Sequence, residues 1–205
     1  MKSNVPKMLR AMLVALGVSL GAGGAFVAYD GLPTETQNYV HVVANAQGTS
    51  EAVKVAMVMG SFYESSGKHI GVPYIDKRGA GQPLTVCNGV TGAGVVAGKI
   101  YTPAECYALE RGRYHSAERV AKANTPGWQQ LTVLQQAVII DFIYNKGVSA
   151  YLTSTLLRDV SEGRIVKACR ENLRWTLGTV NGVKQILPGL VVRAESNAEL
   201  CEVGL

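Results

Sequence analysis

Three side chains in a turn-rich stretch have the chemistry of a glycosidase. Glu64, Asp76 and Thr85 lie twelve and nine residues apart within "YESSGKHIGVPYIDKRGAGQPLTVCNG", residues 63–89. Cleaving a glycosidic bond needs one carboxyl kept protonated to donate to the leaving oxygen, and burial achieves this by raising its pKa. A glutamate at a helix end facing a hydrophobic lobe suits that role, so Glu64 is the candidate acid. A second, ionised carboxylate either attacks the sugar or activates water, and the separation of the two groups decides which. Asp76 is the candidate, and the Thr85 hydroxyl could hold the water, which favours the inverting route. Such residues are common near turns, and the trio alone does not separate a site from ordinary loop polarity. Tyr74 is a candidate groove-lining residue and Lys77 another, while His69 reads as a solvated loop residue.

The elements that must position these groups are legible around them. "SEAVKVAMVMGSFYE" opens with Ser50 as N-cap and Glu51 in the first turn, and predicts a helix of about three turns ending at Glu64. Residues 65–94 hold seven glycines and two prolines between short apolar pieces, the pattern of a small β-hairpin sheet carrying Asp76 and Thr85. Thr102, Pro103 and Glu105 form a capping-box helix start. "QLTVLQQAVIIDFIYNKG" is apolar nearly all round, as expected of a central buried helix stopped by Gly147. "STLLRDVSEG" and "GRIVKACRENLRWTLG" predict two more helices, and Leu187-Pro188-Gly189 precedes a last one, "LVVRAESNAELC". The expected fold is α+β: a small β-hairpin lobe with the catalytic helix, then a larger all-helical lobe, together residues 50–205. Residues 31–49 read mainly as a linker.

Before that linker, Ala11 to Tyr29 is a run of nineteen uncharged residues, just long enough for a membrane-spanning helix. Lys2, Lys7 and Arg10 precede it, which keeps the N-terminus in the cytoplasm and sends the body across the membrane. Four glycines, five alanines and a serine make the run a weak anchor. It could be a cleaved signal peptide, a permanent anchor, or a segment that inserts and later leaves the bilayer. The 205-residue chain carries a formal charge of +5, but beyond Arg10 only 17 basic residues face 15 acidic ones. That balance argues against a nucleic-acid partner.

Cys87, Cys106, Cys169 and Cys201 all lie in the part that would be exported, where disulfides form. Four cysteines allow three connectivities. No Cys-x-x-Cys spacing exists and the histidines are scattered, so no metal site is expected. Trp128 and Trp175 read as core rather than as sugar platforms.

The set Glu64, "PYID" ending at Asp76, "LTVCNGVTG" with Thr85, and "YTPAEC" resembles the catalytic region of the phage lysozyme family, glycoside hydrolase family 24. "FIYNKG", "STLL", "ACRENLRW" and "LPGLVVRAESNAELC" resemble that family's helical lobe in the same order, so the resemblance covers about residues 50–203. It implies a lysozyme-like fold and a phage endolysin hydrolysing the β-1,4 bond between N-acetylmuramic acid and N-acetylglucosamine in peptidoglycan. Glu64 would be the acid, Asp76 and Thr85 would position water, and no cofactor or metal would be needed. Departures are Ser65 where glycine usually follows the catalytic Glu, longer intervals, and Ala194 after Arg193 where a second arginine is usual, taken as structural. The N-terminus resembles signal-anchor-release segments, which hold such enzymes inactive at the inner membrane with the body in the periplasm, then free them, here as an expected monomer. Placement on the sheet and following helix, and on the last two helices, favours pairing Cys87 with Cys106 and Cys169 with Cys201. The alternatives are a lytic transglycosylase using Glu64 alone and a non-catalytic wall-binding protein.

Overall fold

A computed structural model describes residues 3–20, 31–76, 81–180, 182–203 and 205. Helix α1 (Lys7–Ala15) is followed by α2 (Thr34–Ala44) and α3 (Glu51–Ser65). Strands β1 (Tyr74–Ile75), β2 (Leu84–Val86) and β3 (Val90–Thr91) form one antiparallel sheet in that order. Then come α4 (Pro103–Asn124), α5 (Val133–Lys146), α6 (Val148–Leu152), α7 (Thr155–Ser161) and α8 (Ile165–Glu171). A hairpin of β4 (Leu177–Val180) and β5 (Val183–Ile186) precedes α9 (Pro188–Glu202).

Local chemistry sets the helix ends. Ser50 Oγ accepts from the Val53 N–H at the start of α3. Thr102 and Glu105 cap α4 reciprocally, and Thr132 with Gln135 does the same for α5. The last turn of α3 closes through left-handed Ser66 and Gly67, whose N–H groups return to Phe62 and Ser61. That reversal leaves Glu64 in the final turn of α3. Helices α3 and α5 pack on each other at the centre, with α1 against α3 and α2 against α4.

Two expectations are revised. The stretch read as a linker contains α2, whose Tyr39, Val40 and Val43 are buried. The helical lobe is not all-helical, because residues 177–186 pair as a hairpin with Leu177 opposite Ile186 and Val180 opposite Val183. At the N-terminus, α1 stops at Ala15, Gly17 adopts φ +91°, and no helix among the described residues is long and apolar enough to cross a membrane. Instead Leu9, Met12 and Leu13 are wholly buried in the core, each contributing about 1.5–3 kcal/mol by leaving water. The expected span of residues 11–29 lies from residue 21 onward outside the described residues.

Candidate active site

The carboxylate of Glu64 projects from the last turn of α3 and is about one-third exposed, at 32%. It faces a cation where an apolar wall was expected: Arg193 of α9 donates from Nη1 to Glu64 Oε1 at 2.9 Å. Arg193 is itself buried and fixed by Asp141 of α5, donating from Nε to Oδ2 at 3.1 Å and from Nη2 to Oδ1 at 3.0 Å. Asn197 donates to Asp141 at 2.8 Å and accepts from the Tyr63 hydroxyl at 2.8 Å, while the Tyr63 ring lies 4.8 Å from the guanidinium carbon. Burial pulls the guanidinium down, but the charges of Asp141 and Glu64 carry it well above its usual range. The cluster thus holds two carboxylates, Glu64 and Asp141, on one buried cation.

The sheet supplies the other two groups. Tyr74 pairs with Thr85 and Ile75 with Leu84, and the Asp76 N–H continues the ladder by donating to Pro83 O at 3.0 Å. Thr85 is only 2% exposed, and its hydroxyl donates to Pro83 O at 3.1 Å, leaving it free to accept. Tyr74 is 42% exposed, and its phenol is raised first by partial burial, then by the charges of Asp76 and Glu64. Lys77 lies outside the described residues.

Behind Thr85, Cys87 is bridged to Cys106, and Cys169 is bridged to Cys201, the pairing expected. Cys87, Cys106 and Glu110 have metal-ligand spacing, but the bridge occupies both sulfurs. His69 Nε2 contacts Tyr101 O at 2.7 Å, so it is engaged with backbone rather than solvated. Trp128 is buried, whereas Trp175 is partly buried and packs against the core, edge-on to Phe142 at 4.9 Å.

Comparison with known proteins shows the family. The phage lysozyme family model matches residues 70–197, well over half the chain. The chain belongs to the phage lysozyme family. It is 34% identical over 151 residues to the SAR-endolysin of Enterobacteria phage PA-2, covering 73% of this chain and 87% of that one. It is 33% identical over the same length and coverage to the SAR-endolysin of Enterobacteria phage P21. Among solved structures, the active form of P1 phage endolysin Lyz aligns with a TM-score of 0.64 at 19% identity, covering 84% of this chain and 96% of that one. The endolysin from Escherichia coli O157:H7 phage FAHEc1 also reaches 0.64, at 17% identity, covering 78% and 96%. These two share the fold.

Because the family match begins at residue 70, the place of Glu64 in this phage lysozyme rests on its own geometry. Sequence reasoning missed the Arg193–Asp141 pair, taking Arg193 as structural. The usable signal was Asp141 itself, a lone charge inside "VIIDFIY" that must find a partner when buried.

Proposed function

We propose that this phage lysozyme is an endolysin that hydrolyses the β-1,4 bond between N-acetylmuramic acid and N-acetylglucosamine of peptidoglycan, by inversion. The observations that support this reading are the strand register, which sets Tyr74, two residues before Asp76, opposite Thr85, and the buried Arg193 that meets Glu64 at the end of α3. Glu64 donates its proton to the leaving glycosidic oxygen, and the carboxylate so formed is received by Arg193 Nη1. Asp76 takes a proton from the attacking water. Thr85, its own proton committed to Pro83 O, accepts the other hydrogen and so aims the water. Tyr74 lines the groove, and neither metal nor cofactor takes part.

The SAR-endolysin relatives support a tethered and then released enzyme. Residues 11–29 hold the exported body at the inner membrane on its periplasmic side. After release α1 docks under α3, so that Met12 and Leu13 exchange lipid for the core. The freed enzyme acts as a monomer.

The test is a peptidoglycan zymogram of wild type beside Glu64→Gln, with NMR of the product anomer. Clearing by wild type alone with the α-anomer first formed is expected; clearing by Glu64→Gln overturns the reading. Leucine at Gly21, Gly23 and Gly24 should leave the protein in the membrane fraction and slow lysis.

A further inference from the structure

A second carboxylate stands behind the catalytic groups. Glu110 of α4 is wholly buried, and its Oε1 accepts from both the backbone N–H and the side-chain Nδ2 of Asn88, each at 3.0 Å. Its Oε2 accepts from the Tyr39 hydroxyl of α2. Asn88 follows bridged Cys87 at the end of β2, three residues past Thr85, and its Oδ1 accepts from Ser65 Oγ at 3.1 Å. Ser65 is the residue after Glu64. The Asn88 carbonyl accepts from Tyr144 of α5 at 3.3 Å. Asn88 therefore touches the strand of Thr85 on one side and the turn of Glu64 on the other, and Glu110 holds its two donors.

Resting on the lysozyme reading above, we infer that Glu110 is a positioning residue that, through Asn88, sets the spacing between Glu64 and Thr85 and makes it depend on the docking of α2. Two contacts from Asn88 to a buried carboxylate, with Ser65 donating to its Oδ1, leave Asn88 one orientation, because an unsatisfied donor there would be costly. Tyr39 supplies the third contact to Glu110 from a helix outside the residues 70–197 that match the family model. Burial pushes the Glu110 carboxyl up, while the hydrogen bonds from Tyr39 and Asn88 pull it back down.

The test measures kcat and KM on purified walls, per folded molecule, for Asn88→Ala, Glu110→Leu and Glu110→Gln. Asn88→Ala should lower kcat about 10-fold with KM unchanged, and Glu110→Leu on the order of 100-fold, the scale of a misplacement of about 1 Å. Glu110→Gln keeps an acceptor for Asn88 and should restore kcat to within about 3-fold of wild type. Should Glu110→Leu fail to fold, Asn88→Ala and the double variant Asn88→Ala/Tyr39→Phe carry the test, the double losing no more kcat than Asn88→Ala alone. Activity that merely follows the folded fraction, or a change confined to KM, overturns the inference. Wild-type hydrolysis lost in Glu64→Gln would meanwhile leave the lysozyme reading standing.

Discussion

Asp141 and Glu110 are both fully buried carboxylates, one in α5 and one in α4, and they are kept inside by opposite means. Asp141 meets a guanidinium that donates twice, with Asn197 adding a third bond. Glu110 meets only neutral donors among the described residues, Tyr39 and Asn88. A cation-paired acid is stable as a pair and fails when its partner goes, because a bare charge is left in the interior. An acid held by neutral donors can take up a proton instead, so its losses are smaller and depend on pH.

The sharpest break of that contrast is Arg193→Leu, which strands Asp141. Denaturant unfolding should show a loss of about 3–5 kcal/mol, whereas a loss comparable to that of a neutral contact would erase the distinction. Gly60→Ala strikes between the clusters. Its Cβ would meet the Tyr114 hydroxyl oxygen at 1.9 Å, and the Tyr114 ring, buried and stacked on Tyr144 at 4.1 Å, has nowhere to retreat. Overpacking of that kind should cost about 1–3 kcal/mol by the same measurement. Tyr39→Phe removes one neutral donor from Glu110 and should cost about 1–2 kcal/mol.

The smallest effects are read in thermal midpoints between pH 2 and 7. The folded-state pKa of Glu110 is raised by burial, so the folded protein holds the extra proton; that stability is complete below the ordinary carboxylate value and is lost as pH rises through the raised one. Glu110→Gln should flatten that decline. Glu105, on the surface of α4, behaves in the opposite sense. Lys99 and Thr102 lower it from 4.5 to about 2, so its contribution is complete above 4.5 and disappears as pH falls toward 2. Glu105→Gln should remove only that acid-side slope.

What could be read from sequence was what is decided locally. The start of α4 was legible because Thr102 and Glu105 cap each other within three residues, and Glu64 was placed at a helix end by Ser50 and the apolar spacing behind it. Contacts across the chain were not. In α2 a weakly apolar run is held by Tyr39, whose partner lies 71 residues away. The hairpin was hidden because Leu177, Val180, Val183 and Ile186 recur every third residue, as on a helix face, although Asn181-Gly182 is a hairpin dipeptide. Asp141 announced that a partner existed, but not that it was Arg193.

Each disulfide stays on one flank of the molecule, Cys87–Cys106 between the sheet turn and α4, Cys169–Cys201 between α8 and α9. Neither sulfur bridge spans the joint between α3 and α9, which is closed by Glu64–Arg193 and Tyr63–Asn197 hydrogen bonds. Reducing either bridge therefore cuts no covalent tie across that joint.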